Sequence, residues 1–184
     1  YTLEEVNTPN RYVVPSNQTA TIEWDKITNK EFHNSLKKGD LTVTKTSEDG
    51  LVSGMKFRLH GTSLSGSKVD ITATTNSSGV AKFEDVLIGT NYTIEEVNTP
   101  ERYVVPSSQT AKIEWNKVTS VKFNNVLKRG DLTVTKTSED GLVSGMKFRL
   151  YGASLSGSKF DITATTDKSG AAKFEDVLIG TNYT

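Results

Sequence analysis

Residues 40–50, DLTVTKTSEDG, alternate in polarity. Leu41, Val43 and Lys45 fall on one side, and Thr42, Thr44 and Thr46 on the other. Period-two alternation predicts a strand with one face in a core. The same letters return at 131–141, with Lys136 in the place of Lys45. Each apolar face therefore ends in a lysine, which on a core face must be paired, snorkelling or neutral. Further along, Met55, Phe57 and Leu59 alternate, whereas Ala81, Phe83 and Asp85 run into Val86 and Leu87 and lose the period. The pattern predicts short strands at about 40–46, 55–60, 69–75, 80–84, 91–97, 102–104, 109–115 and 120–127. Turn signals separate them: SEDG, SLSGS, NSSG, LIGTN and NTPE. Pro100 and Pro106 bound an edge or loop segment. Many short strands and scarce helical periodicity predict an all-β sandwich or small barrel.

The strands repeat. Residues 1–93 match residues 92–184 at a constant offset of 91 without a gap, with 75 identities in 93 positions. The differences cluster at 21–35 against 112–126. A period of 91 is too long for a solenoid and suits a small β-domain. LKKGD (36–40) and LKRGD (127–131) read as linkers. One complete domain then spans 39–129. Residues 1–38 are the C-terminal part of a divided domain, and residues 130–184 are the N-terminal part of another. Two ways of completing the divided domain are open. One is head to tail with a neighbouring molecule. The other is continuity with adjacent repeats in a longer array.

Composition narrows the picture only modestly. The 184 residues carry 22 basic and 22 acidic side chains, and no cysteine. Balanced charge gives no electrostatic case for nucleic acid or an acidic membrane surface. No apolar run is long enough to span a bilayer, and no signal-peptide pattern is evident. Without cysteine, any covalent staple must be something other than a disulfide.

Candidate chemistry follows from three inward polar positions. Tyr92, Ile94 and Glu96 share a face, as do Val121, Phe123, Asn125 and Leu127. Three strands thus each carry one polar group on the apolar side: Lys45, Glu96 and Asn125. Buried without partners, each would cost several kcal/mol, roughly; placed together they satisfy one another. Burial disfavours the charged forms of amines and carboxyls alike. A free amine is a nucleophile and the Asn125 carboxamide is its target. A carboxylic acid at Glu96 can hydrogen-bond that carbonyl and move protons to departing ammonia. The product is a Lys–Asn isopeptide bond, formed once per domain, so the chain modifies itself and is not a turnover enzyme.

These features together resemble a known family. The run LTVTKTSEDG…SGMKFRL…GVAKFEDVLIGTNYTIEEVNTPERYVVP…VKFNNVLK is similar to the CnaB-type domain of Gram-positive surface adhesins and pilins. The resemblance covers the whole chain, as one complete and one divided copy. It implies a reverse-Ig-like β-sandwich in an extracellular, cell-wall-anchored stalk. It also implies an autocatalytic bond between Lys45 and Asn125, with Glu96 as the catalytic carboxyl. In the divided copy the matching residues are Lys136, Asn34 and Glu5. No cofactor is implied. Partners would be neighbouring copies or repeats, joined head to tail, with a host matrix protein reached through other parts of the parent. A ligand-binding adhesin domain contacting host matrix is the alternative function.

Competing readings attach to individual residues. A lone Lys45 near a strand end would read as snorkelling. Glu95 rivals Glu96, but parity turns it outward. Asn124 rivals Asn125, but the first copy has His33 at that position while Asn34 persists. Glu23 and Glu114 read as solvated. His33 and His60 lack a second ligand at metal spacing, and TSEDG lacks the spacing of a calcium loop. Trp24 and Trp115 read as packing residues. Asn17, Asn76, Asn91 and Asn182 head N-x-S/T triplets and read as polar turns. Gln18 and Gln109 could enter a Thr–Gln ester, but no partner threonine stands out.

Overall fold

The computed structural model describes residues 1–181 and 183–184; Asn182 lies outside the described residues. Among the described residues the regular structure is entirely strand. No helix there is long and apolar enough to cross a membrane. The chain forms two compact units. One comprises Tyr1–Lys45, Val52–Asn98 and Pro106–Phe123, and the other comprises Thr46–Leu51, Thr99–Val105 and Asn124–Thr184.

The first unit opens with a short ribbon, β1 (Thr2–Leu3) against β2 (Gln18–Thr19). It then holds β4 (Lys56–Thr62), β5 (Lys68–Thr74), β6 (Val80–Leu87), β7 (Gly89–Val97) and β8 (Gln109–Ile113). It also holds most of β3 (Lys38–Ser47) and of β9 (Val118–Asn125). The strands form two sheets, ordered β6-β3-β9 and β5-β4-β7-β8. The registered pairs β3–β6, β4–β5, β4–β7 and β7–β8 are antiparallel. β3 and β9 instead run in the same direction. Asn116 N donates to Lys38 O and Asp40 N to Lys117 O at one end, and Glu48 N donates to Asn125 O at the other.

Alternation decides which side chains fill the core. Leu41 and Val43 of β3, Phe57 and Leu59 of β4, and Ala81 and Phe83 of β6 are buried. So are Tyr92 and Ile94 of β7, Ile113 of β8 and Phe123 of β9. Phe57 and Phe123 sit with ring centroids 5.0 Å apart, joining the two sheets face to face. The architecture is the expected all-β, Ig-like sandwich. The lost period after Phe83 has a cause. Asp85 takes a positive φ of 56°, the register slips opposite Gly39 and Leu41, and Asp40 Oδ1 accepts the Asp85 amide at 2.9 Å. This bulge returns Val86 to the core. Residues 102–104, expected as a strand, form only one bridge, Tyr103 to Leu127. Pro100 and Pro106 bracket the segment and cannot donate to a ladder.

The second unit contains the turn 46–51, the segment 99–105 and four further strands. These are β10 (Arg129–Thr135), β11 (Lys147–Ala153), β12 (Lys159–Thr165) and β13 (Ala171–Leu178). β10 pairs with β13 and β11 with β12, both antiparallel. Leu150, Phe174 and Val177 form its small core, with Val134, Phe148, Phe160 and Ile162 packed around them. Arg149 grips Asp161 across the β11–β12 hairpin with two bonds of 2.8 Å, as Arg58 grips Asp70 across β4–β5.

A buried lysine–glutamate pair as candidate functional site

Lys45 is the last inward residue of β3. Its amide donates to Gly79 O at 2.7 Å, which holds the strand end in place. Its side chain is wholly buried, and Nζ lies 3.5 Å from Oε2 of Glu96, whose side chain is equally buried. Glu96 comes from the opposite sheet, where β7 sets it across from Phe57. Glu95 points the other way, half-exposed, 3.3 Å from Arg58. One step of strand parity therefore decides which glutamate meets the lysine. Asn125 ends β9, the strand next to β3 in the sheet, and is fully buried. Asn124 is exposed and accepts a bond of 2.9 Å from Thr46 Oγ1.

An ion pair this deep is poor evidence for stability on its own, because desolvation offsets most of the Coulombic gain. The same dry setting does favour chemistry in which charge is handed on, because water neither competes for the amine nor hydrolyses the product. Within the first unit the combination is an amine in contact with a carboxyl.

The divided copy is different. Asn34 Nδ2 donates to Glu5 Oε1 at 2.8 Å within the first unit. Lys136 lies in the second unit, where its amine donates to the carbonyl of its neighbour Thr137. Two of the three matching residues meet within the first unit.

A second cluster escaped the sequence reading. Asp49, in the SEDG turn, accepts Arg102 Nε at 2.9 Å, Tyr103 OH at 2.5 Å and the Leu51 amide at 3.1 Å. Burial alone would raise its pKa, but the bonds from Tyr103, Leu51, Arg102 and Ser47 outweigh that and hold it at about 2. Beside it, Glu48 accepts the Leu127 amide at 2.9 Å and the Arg129 guanidinium, which holds its carboxyl below the usual range. The legible signal was the recurrence of Arg-Tyr (Arg11–Tyr12, Arg102–Tyr103) with an unvaried SEDG. Its partners, however, stand more than fifty residues apart.

The remaining candidates resolve simply. Gln109 Nε2 donates to Lys122 O at 2.6 Å, and Gln18 to Glu31 O. Asn76 Oδ1 caps its turn by accepting the Ser78 and Val80 amides. Glu23 and Glu114 are engaged with Lys26 and with Lys112 and Lys117 at the surface. His33 is exposed, and among the described residues no three His, Asp or Glu side chains gather as a metal site requires. The tryptophans depart from expectation: Trp24 is 93% exposed and Trp115 49%. Lys37 Nζ lies over the Trp115 ring, 4.9 Å from its centre.

The fold and the buried set together define an Ig-like sandwich domain with an amine and a carboxyl in contact at its core. Residues 39–127 match the family model described as SpaA, prealbumin-like fold domain. Among solved structures, the chain is similar to the Bacillus anthracis TIE protein, at 23% identity and TM-score 0.59, over 77% of this chain and 26% of that one. It also aligns with GBS52, the minor pilin of the gram-positive pathogen Streptococcus agalactiae. There the identity is 19% and the TM-score 0.42, over 53% of this chain and 48% of that one. With the Corynebacterium diphtheriae major pilin SpaA the values are 21% and 0.39, over 62% and 38%. The chain thus spans about a quarter of the TIE chain and about half of GBS52. No curated protein matches the sequence.

Proposed function

We propose that the chain is a structural stalk module of a Gram-positive cell-surface pilin or adhesin, extracellular and carried on a cell-wall-anchored parent. In this reading its CnaB-type sandwich is locked by an internal isopeptide bond between Lys45 and Asn125. The observation that carries it is the wholly buried contact of Lys45 with Glu96, on a strand adjoining the one that ends in buried Asn125. The prealbumin-like match over 39–127 supports the stalk context.

The chemistry runs once. The Lys45 amine, as free base, attacks Cγ of Asn125. The new C–N bond forms, the bond to Nδ2 breaks, and Glu96 relays a proton from the attacking nitrogen to the departing one, which leaves as ammonia. No oxidant, metal or cofactor is consumed. With β3 and β9 parallel, such a cross-link would join the first and last strands of the domain, and tension entering one linker would leave by the next without loading the sheets between. Intact mass tests the reading. The protein should be lighter by one ammonia for the bond at Lys45. Lys45→Ala and Glu96→Ala should each keep that ammonia, and loss of it in Lys45→Ala would refute the assignment.

One observation favours a second reading, a ligand-binding domain contacting host matrix. Half-exposed Trp115 lines a groove of about 470 Å³ with Lys37, Leu64, Ile88 and Lys112. Trp115→Ala abolishing adhesion to matrix, with melting unchanged, would support that reading.

A further inference from the structure

The runs LKKGD and LKRGD read as linkers, and a linker bends where a residue is free to change its backbone angles. At these two places the backbone is already committed. Leu36 bridges back to Tyr12, and Lys38 opens the β3 ladder opposite Leu87. Lys37, between them, is bonded in both directions. Its amide donates to Arg11 O at 2.8 Å, and its carbonyl accepts from Ile88 N at 3.1 Å. The 91-residue repeat reproduces this bond for bond. Leu127 bridges to Tyr103, and Arg129 opens β10 opposite Leu178. Lys128 N donates to Arg102 O at 2.8 Å, and Lys128 O accepts from Ile179 N at 3.1 Å. The first set lies wholly inside the first compact unit and the second wholly inside the second.

Side chains clasp the two places differently. At the first, Lys37 Nζ donates to Asn10 Oδ1 at 3.4 Å and lies over the Trp115 ring, while Lys38 faces Asp85 at 4.0 Å. At the second, the Arg129 guanidinium takes both carboxylate oxygens of Glu48 in a fork. It also donates to Leu127 O at 3.2 Å and lies 3.6 Å from Asp176. Glu48 accepts the Leu127 amide at 2.9 Å as well. One carboxylate thus holds the last bridge of one repeat and the first ladder residue of the next. A planar guanidinium matches two oxygens at once, which an ammonium does not.

We propose that Leu36–Lys38 and Leu127–Arg129 are docking joints between consecutive repeats, with Lys37 and Lys128 as the shared residues. The partner at each joint is the adjacent repeat of the same chain. One repeat offers the arginine carbonyl of its Arg-Tyr pair, and the other offers the amide just past β6 or β13. Turning one repeat against the next must break at least one of these backbone bonds, so the joint does not serve as a hinge. Stability at the end of one repeat is then passed to its neighbour, as in other arrays whose units contact only the next in line. The inference goes beyond the stalk reading and stands whether or not the Lys45 bond forms.

Amide hydrogen exchange of the full chain tests this. The amides of Lys37, Ile88, Lys128 and Ile179 should exchange about a hundredfold or more slower than in an unstructured peptide. Inserting Gly-Gly after Lys128 separates its carbonyl from β10. Ile179 should then exchange about tenfold faster or more, while Thr75, bonded to Met55 O at 2.9 Å, keeps its rate. Arg129→Ala removes the clasp but not the backbone bonds, and should speed exchange at Lys128 by only about two- to fivefold. Exchange of Lys37 or Lys128 at the unstructured rate, with Thr75 still protected, would overturn the proposal, since the joint would then be a hinge. So would an insertion that leaves Ile179 unchanged.

Discussion

Residues 39–93 and 130–184 are nearly the same string of letters, with six differences in 55 positions, yet their side chains live in different surroundings. Local structure is common to both. Arg58 and Arg149 each hold an aspartate across a hairpin, and Asp85 and Asp176 each take a positive φ, at 56° and 58°. Each bulge amide, of Asp85 or Asp176, donates to an aspartate 45 residues earlier, Asp40 or Asp131. Burial is not common to both. Leu41, Val43, Lys45 and Phe57 are covered in the middle copy, whereas Leu132 is exposed and Val134, Lys136 and Phe148 are only half-buried. Hairpins, turns and bulges are therefore encoded within some fifty residues. A core, and the dry chemistry that depends on one, needs strands from the next forty.

The comparison can be broken most sharply at the lysines. Lys45→Ala should remove a cross-link closing a loop of about 80 residues, worth roughly 4–5 kcal/mol in a chain-entropy account. Lys136→Ala should leave the thermal melt of the monomer unchanged. Equal losses from the two substitutions would contradict the account.

The cores come next. Phe57→Ala should cost about 3–5 kcal/mol, as a buried ring in contact with Phe123. Phe148→Ala, at a half-buried site, should cost less than half of that in denaturant titrations of the same protein. Smaller still is the pair of glycines. Gly39→Ala pushes a methyl into the Glu114 carbonyl and should cost about 1–3 kcal/mol, whereas Gly130→Ala meets open space and should be tolerated.

The smallest expected effect is pH-dependent. Asp49 titrates near 2 when folded, against about 3.9 when unfolded. A carboxyl with a lowered folded pKa stabilises above the unfolded value and loses that contribution as pH falls through the folded one. Asp49→Asn should therefore cost about 1–2 kcal/mol at neutral pH and almost nothing near pH 2. Asp140→Asn, at the equivalent position, keeps the bonds from Ser138 and Leu142 but has neither Arg102 nor Tyr103 beside it, and should lower melting less than Asp49→Asn does.

The sequence made much of this architecture legible. Alternation located β3, β4, β5 and β7, and the turn signals separated them, because period and turn chemistry are local properties. Strand parity distinguished Glu96 from Glu95 for the same reason. What stayed hidden depended on distance along the chain. The bulge at Asp85 needs Asp40 to accept its amide, and the Asp49 cluster needs Arg102 and Tyr103. The tryptophans were read as packing residues from their size alone. Trp24 is 93% exposed, and Trp115, 49% exposed, has Lys37 over its ring.

The central claim is that identical reactive letters join only where the fold buries them together. Peptide mapping of the protein kept dilute tests it directly. The account predicts a branched peptide linking Lys45 to Asn125 in every molecule, one ammonia lighter than its parts, with Lys136 and Asn34 recovered as unmodified linear peptides. Recovery of Lys45 in an ordinary linear peptide would contradict it.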